Sequence, residues 1–350
     1  MRILVFGDGS LGHTKRWTGY FLERGHDVLL LSFESVEGSP VPARRLAARM
    51  PTKLLGFLSA LPVIRAETRR FGPDLVSALY LGGYGLVASL CGARPLAATS
   101  LGSDLLVDYP SSVLHRLQIR RVLRRADLVI TDADVLSRLA ARAGARNVLK
   151  AYMGIDERIF HPAAARRESE RPRIVSTRNL HPVYDVGLLV EAAPMILERR
   201  DASFVVCGDG PERERLERRA AALGLADRFA FAGRLDPESL AGVLREAAVY
   251  VSTSRSDSTS VSLLEAMACG AFPVVTDLPA NREWIADGAN GTVLARRDPR
   301  VLAEAVLAAL GNDALRAAAR ERNAVIIAER GLWRDNMERV EKAFAQLAGS

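Results

Sequence analysis

The sequence predicts an α/β chain of two domains, each built on a parallel sheet with helices on its faces. Three observations carry this. The chain has 350 residues, the length of two ordinary domains that each bury their own core. Short apolar runs rich in Val, Ile, Leu and Phe alternate with helix-length stretches along the whole chain. Residues 250–276 read as strand, loop, helix and strand, which is one βαβ crossover of a parallel sheet.

In order, Arg2 to Phe6 is an apolar run that fits a fully buried strand. Gly7, Gly9 and Gly12 follow at G-x-G-x-x-G spacing, ahead of a helix over 13–24. Residues 28–33 form the next strand, with Glu34 after it. This is close to a dinucleotide-binding fingerprint with its acid near the expected place. One reading is therefore an enzyme that binds NAD(P) on this loop. Residues 41–72 mix Arg44, Arg45, Arg49, Lys53, Arg65, Arg69 and Arg70 with Leu54, Leu55, Phe57, Leu58, Leu61 and Ile64. Two readings fit: an amphipathic, membrane-facing stretch, or a helix on the sheet with a charged outer face. Pro51, Gly56 and Pro62 prevent one continuous helix. Residues 76–93 carry no charge and raise the question of a membrane span. Gly82, Gly83, Gly85 and Gly92 interrupt them, so they parse as a buried strand, a glycine turn and a helix start.

A strand over 96–101 ends in Gly102-Ser103-Asp104, where Asp104 can cap the next segment. Residues 115–125 form a helix with Arg116, Arg120, Arg121, Arg124 and Arg125. Its face is either solvated or a contact for phosphate or membrane. After the strand 128–130, Asp132-Ala133-Asp134 resembles a metal-binding triplet, but between a strand and a helix such carboxylates cap. Residues 147–150 give the last strand of a first domain, 1–163. Charged, alanine-rich residues 163–172 read as the linker. A second domain, 164–330, opens with the strand 173–177 and then Arg178. Strands at 204–206, 229–231 and 248–252 follow, the first ending in Gly208-Asp209-Gly210-Pro211 and the second in Gly233-Arg234-Leu235. Helices are expected over 301–310 and 314–327. A final helix within 331–350 is expected to pack back towards the first domain.

The totals narrow the function. Cys91, Cys207 and Cys269 follow no disulfide or metal spacing, which points to a reducing, cytoplasmic compartment. The chain opens directly into a strand, so no secretory signal is expected ahead of the fold. The net charge of +7 is uneven, because residues 1–160 hold 22 Lys and Arg against 14 Asp and Glu. A basic first half favours an acidic partner, such as anionic membrane, a phosphorylated acceptor or nucleic acid. An arginine-rich compositional bias explains it equally well.

The chemistry concentrates at 251–277, VSTSRSDSTSVSLLEAMACGAFPVVTD. A polar loop, Ser256 to Ser260, leads into a helix over 261–268 that Gly270 stops. A helix start at the carboxyl edge of a sheet offers free N–H groups and a positive dipole end, which suit an anion. Asp257 and Glu265 bracket that start and lie about two helical turns apart. Carboxylates accept hydrogen bonds from sugar hydroxyls, so the combination fits a nucleotide sugar. The plainer reading is a capping Asp257 and a solvated Glu265.

Leu263-Leu264-Glu265-Ala266-Met267-Ala268-Cys269-Gly270 followed by Pro273-Val274-Val275 resembles the signature of retaining glycosyltransferase family 4. Its Glu-x7-Glu pattern stands here as Asp257-x7-Glu265, with Ser258 and Ser260 where glycines are usual. Gly25-His26-Asp27-Val28, Met153-Gly154-Ile155-Asp156 with Phe160-His161-Pro162, the Gly208 turn, Asn281 to Ile285 and the Gly288 to Gly291 turn match further family segments. The resemblance implies the GT-B fold, two Rossmann-like doubly wound domains facing each other across a cleft. It implies transfer of a sugar, with retention, from a nucleoside diphosphate sugar to an acceptor hydroxyl in bacterial glycan, glycolipid or natural-product synthesis.

The donor would lie on the second domain, with Glu265 on its ribose and Asp257 on its sugar. Ser260 and Val261 would offer backbone N–H groups to the diphosphate, and Ser258, Thr259, Gly208, Gly233, Arg234 and Leu235 would line the donor site. Arg178 would stabilise the leaving diphosphate. The partner lysine of the family is absent, with Tyr184 or Asp185 in that region. Gly9, His13, Lys15 and Arg16 would serve the acceptor or the phosphates. His13 reads equally well as a solvated or capping residue. Asp104 would orient the acceptor hydroxyl, beside Leu101 where many members carry histidine. No cofactor or metal is implied beyond the nucleotide-sugar co-substrate. The acceptor would be a glycan, a lipid-linked sugar or a small molecule, with no nucleic-acid partner. The basic first domain could touch the inner face of an anionic membrane. A non-catalytic sugar-nucleotide binder is the remaining alternative.

Overall fold

A computed structural model describes residues 1–47, 53–163 and 171–349. Its contacts divide the chain into two units, Met1–Tyr152 with Asp335–Ser350, and Met153–Arg334. The linker expected at 163–172 falls mostly outside the described residues, as do Arg49 and Pro51.

The first unit holds seven strands: β1 (Arg2–Phe6), β2 (Asp27–Ser32), β3 (Ala43–Arg45), β4 (Leu75–Leu79), β5 (Leu96–Ser100), β6 (Leu128–Thr131) and β7 (Val148–Lys150). All pair in parallel in the order β3-β2-β1-β4-β5-β6-β7. The three central strands β1, β4 and β5 are buried almost throughout, as unbroken apolar runs demand when both faces are covered. Residues 41–72 form β3 and two short helices, Lys53–Ser59 and Leu61–Phe71. Phe57 packs edge-on against Phe33 at 4.3 Å, and Ile64 is buried, so this stretch covers the sheet. The uncharged stretch is β4 followed by the helix Gly83–Leu90. Among the described residues, no helix is long and apolar enough to cross a membrane. The helix Trp333–Ala348 seals this unit's core: Phe344 stacks on Phe21 at 5.3 Å, and Glu341 takes bonds from Tyr20, Arg24 and His26.

The second unit holds β8 (Arg173–Ser176), β9 (Ser203–Cys207), β10 (Phe229–Gly233), β11 (Ala247–Ser252), β12 (Phe272–Thr276) and β13 (Thr292–Leu294). These too are all parallel, in the order β10-β9-β8-β11-β12-β13. Residues 153–160 pack within this unit, where Ile155 exchanges backbone bonds with Gly331 and Trp333. The sheet's core is one continuous cluster that includes Ile174, Phe204, Val249, Phe272 and Val306.

Both sheets are doubly wound. Strand order reverses between β1 and β4 in one and between β8 and β11 in the other. In such sheets the carboxyl ends of the two reversing strands open a crevice, and ligands bind there. The sites to inspect are therefore the loops after β1 and β4, and those after β8 and β11.

Candidate functional site

In the second unit, β8 delivers Arg178 two residues past its end, and β11 delivers the loop 253–260. Ser260 caps the helix Val261–Ala268 by accepting from the Leu263 amide. The first amides of a helix have no intrahelical acceptor, so this start retains anion-binding capacity.

Arg178 joins the two sides of the crevice. One guanidinium nitrogen donates to Asp257 Oδ2 at 2.7 Å. The other donates to the Ser260 hydroxyl and, at 3.3 Å, to that of Ser262. The Tyr184 ring covers the guanidinium with its centroid 4.1 Å from the central carbon. Arg178 is buried. Burial opposes its charge, but Asp257 together with the Tyr250 and Tyr184 hydroxyls outweighs that effect and holds the group protonated. Burial pushes the Asp257 carboxyl up, against the pull of Arg178. The result is a desolvated ion pair at the mouth of a helix start, with the Ser260 and Ser262 hydroxyls on the guanidinium nitrogen that Asp257 leaves.

The surrounding loops fix this geometry. A Cβ on Gly208 would stand 2.4 Å from the carbonyl oxygen of Arg178, and one on Gly210 would stand 2.4 Å from that of Leu180. The turn after β9 therefore presses directly on the backbone carrying Arg178, and only glycine admits that approach. The Leu180 amide donates to Asp209 and the Glu212 amide to Leu180, which completes the clamp. Thr253 Oγ1 donates to the carbonyls of Tyr184 and Asp185, while the Arg255 amide donates to Val183. These bonds seat the Tyr184 ring. Asp185 has φ +49° and pairs with Arg255 at 3.0 Å.

Of the other expected donor residues, Ser258 and Thr259 are buried, and Thr259 accepts from the Trp284 indole at 3.3 Å. Val261 and Glu265 are half-buried on the helix, Glu265 on its second turn. Gly233, at φ +71°, ends β10, the edge strand two places from β8; Arg234 beyond it is exposed and Leu235 half-exposed.

In the first unit, the Gly7–Gly12 loop follows β1. A Cβ on Gly9 would stand 2.7 Å from the Ser35 carbonyl, and the Gly9 amide donates to Ser32 Oγ. Only glycine admits that approach of the backbone, so the packing of the chain itself accounts for Gly9 without a bound dinucleotide. Lys15 donates to the Glu37 carbonyl at 2.6 Å, and Arg16 is half-buried. His13 meets Tyr80 at this sheet's reversal point, Nε2 to hydroxyl 3.2 Å, and burial pulls its pKa down towards a neutral ring. Tyr80 sits at φ +76°, a strained setting for an aromatic residue.

Asp104 is fully buried and accepts from the Ser100 hydroxyl at 2.5 Å and from the amides of Leu81 and Leu105. Its carboxylate braces the loops after β4 and β5. An acceptor hydroxyl would find no oxygen of it exposed. Burial pushes its pKa up. Asp134 pairs with Lys150 at 2.6 Å. Among the described residues no group of three metal-ligating side chains forms.

Sequence reasoning missed Tyr80, the Ser262 hydroxyl and the Arg178–Asp257 pairing. Only the glycines after β4 hinted at the first, since a glycine-rich run after a strand marks close backbone packing.

A glycosyl transferase 4-like family model matches residues 2–133, and a glycosyl transferases group 1 model matches residues 157–326. The first half of the chain thus matches a glycosyl transferase 4-like domain and the second half a glycosyl transferases group 1 domain, on a fold shared with GT-B enzymes of known structure. Over 252 residues it is 31% identical to a D-inositol 3-phosphate glycosyltransferase of Geodermatophilus obscurus, covering 66% of this chain and 56% of that one. The chain thus spans little more than half the length of that relative. The sucrose-phosphate synthase of Thermosynechococcus elongatus superposes with a TM-score of 0.83 at 18% identity, covering all of both chains. Anabaena HepE, solved in complex with UDP and glucose, superposes at 0.82, also at 18% identity, over 99% of this chain and all of that one. The fold expected from the sequence is the fold found, and these matches favour the sugar-transfer reading of the GT-B chain over the NAD(P) one.

Proposed function

We propose that this chain is a retaining glycosyltransferase that moves a sugar from a nucleoside diphosphate sugar to an acceptor hydroxyl. The observation that carries the reading is Arg178. It is a buried cation at the reversal point of the second sheet, aimed at a serine-capped helix start and flanked by Asp257. A departing diphosphate places negative charge there, and preorganised donors stabilise developing charge without rearranging. The helix amides near Ser260 add the positive end of the dipole. A relative of this fold is solved with UDP and glucose.

In this reading Glu265 holds ribose hydroxyls, and Asp257 leaves Arg178 to meet the donor sugar when the diphosphate arrives. The Asp257-x7-Glu265 pair then does the work of the family's two glutamates. Ser258, Thr259 and Val261 line the phosphates. Gly208 acts by holding Arg178 in place. Retention proceeds by attack on the face the diphosphate leaves, with that phosphate taking the acceptor's proton. The acceptor binds the first unit near His13 and Tyr80, and is a glycan, a lipid-linked sugar or a small molecule. No metal or cofactor takes part. The first unit rests at the cytoplasmic face of an anionic membrane.

The test is a matrix of nucleotide sugars against sugar, cyclitol and lipid acceptors, with product anomers assigned by nuclear magnetic resonance. An α-donor giving an α-product, unaffected by EDTA, supports the proposal. An inverted product or a requirement for metal overturns the mechanism. Tight nucleotide binding without transfer or hydrolysis of any donor points instead to a binder.

A further inference from the structure

We infer that the segment Asp104–Arg125 is a membrane-docking surface that seats its apolar tip in an anionic lipid bilayer. The inference deepens the membrane contact proposed above by naming its surface, and it stands apart from the donor site. Asp104–Asp108 is a π-helical turn, followed by the short helix Tyr109–Ser111 and then by Val113–Arg125. Four large apolar side chains project from it: Val107 is 48% exposed, Val113 68%, Leu114 59% and Leu117 60%. These are half of the exposed large hydrophobic residues among the described part of the chain. Scattered single exposures need no explanation, but a contiguous group does.

The helix holds itself to the sheet by its other side, where Ile119, Val122 and Leu123 are buried. At 100° per residue, Val113, Leu114 and Leu117 lie on the outer face opposite those three. Arg121, Arg124 and Arg125 fall on the same outer face, one to two turns further along, with the half-buried Arg120 at its edge. The face is therefore divided along its length, apolar at its start and basic towards its end. Leu117 and Arg124 are about 10 Å apart along the axis at 1.5 Å per residue. An interfacial segment buries its apolar part about 5–10 Å deep, so the arginines would stand at the level of the lipid phosphates. Guanidinium groups bind such oxygens in pairs. Arg116 lies over the Tyr109 ring at 5.9 Å, at the boundary between the two regions.

A bilayer explains both halves of this face together. A purely acidic partner leaves the four apolar side chains without a role, and a second copy of the chain would bring arginine against arginine.

The test is vesicle co-sedimentation of the full chain at low salt. Vesicles of equal phosphatidylglycerol and phosphatidylcholine are compared with phosphatidylcholine alone. Binding is expected to the anionic vesicles, at least tenfold weaker to the neutral ones, and weakened by 0.5 M salt. Val113→Ser, Leu114→Ser and Leu117→Ser combined should lower the partition constant about tenfold or more. Arg121→Gln with Arg125→Gln should lower it about 25-fold, at about fivefold per basic residue. All five positions are exposed, so melting temperatures should stay within about 2 °C of the parent. No binding to anionic vesicles overturns the inference. So does binding that neither variant weakens, or a dimer in light scattering that the triple serine variant abolishes while vesicles are not bound. UDP and GDP binding, measured on the same preparations by calorimetry, keeps the two proposals separate. Nucleotide binding without vesicle binding removes this surface only, and vesicle binding without nucleotide binding removes the donor site only.

Discussion

Replacing Asp257 by asparagine should make the protein less stable, bind free nucleoside diphosphate more tightly and transfer sugar more slowly. The pair it breaks is short, 2.7 Å, and both side chains are largely buried. Removing one partner of a buried ion pair costs about 3–5 kcal/mol, because the other charge stays behind uncompensated. Asparagine still offers Arg178 a carbonyl oxygen, so the lower end applies, about 3 kcal/mol. For a unit the size of Met153–Arg334 that lowers the melting temperature by about 6–12 °C. The arriving diphosphate then meets an unpaired guanidinium. In the parent it must also face the Asp257 carboxylate. Two charges about 5 Å apart repel by about 3 kcal/mol at an effective dielectric near 20. If movement of Asp257 relieves half of this, the variant gains about tenfold in affinity for the preferred nucleoside diphosphate. Turnover should fall by about a hundredfold or more, since the sugar loses its carboxylate contact. Calorimetry for affinity, scanning fluorimetry for stability and single-turnover transfer for rate read the three effects. Weaker nucleotide binding with an unchanged melting temperature would falsify the view that Asp257 is the resting counter-ion of Arg178.

Three further outcomes follow from the packing. Gly208→Ala places a methyl 2.4 Å from the Arg178 carbonyl oxygen, so nucleotide affinity should drop at least tenfold, more than any loss seen for Gly242→Ala, where a Cβ meets nothing within 4 Å. Tyr184→Phe keeps the ring over Arg178 and should bind nucleotide normally, whereas Tyr184→Ala should lose about five- to thirtyfold, the worth of one buried cation–π contact. Glu341 is opposed by burial, but bonds from His26 and Tyr20 outweigh this and hold its pKa down. A depressed carboxyl contributes stability above its unfolded pKa and loses it as pH falls through the folded one. Glu341→Gln should therefore cost about 2 kcal/mol at pH 7, with the gap to the parent closing below about pH 4 in denaturant titrations; a gap independent of pH would contradict this.

How much of this could be read from the chain differs by element. β1, β4, β5, β11 and β12 are buried runs with Val, Leu, Ala or Phe at most positions, and such runs announce themselves. β3 is three residues, Ala43, Arg44 and Arg45, on a sheet edge, and two arginines carry no strand signal. β13 is equally short and hides behind a glycine turn. The helix Val261–Ala268 was legible to the residue, because Ser260 caps it and Gly270, at φ +82°, follows its end. Arg178 could be located from its place after a strand. Its pairing with Asp257, 79 residues away, is a product of strand order, which local pattern does not encode. The same holds for Gly208, whose glycine signals a turn but not the backbone it presses on. Asp104 shows the opposite case: residue type suggested exposed chemistry, and burial with three donors made it a brace.

The central claim is that Arg178 anchors the diphosphate of the donor. Its most direct test is calorimetric titration of UDP, GDP and NAD into the parent and into Arg178→Ala, with circular dichroism confirming that the variant is folded. The account predicts one site per chain for UDP or GDP, no measurable heat from NAD, and at least a hundredfold loss of nucleotide affinity in the variant. Equal nucleotide affinity in the two proteins, or binding of NAD alone, would contradict it.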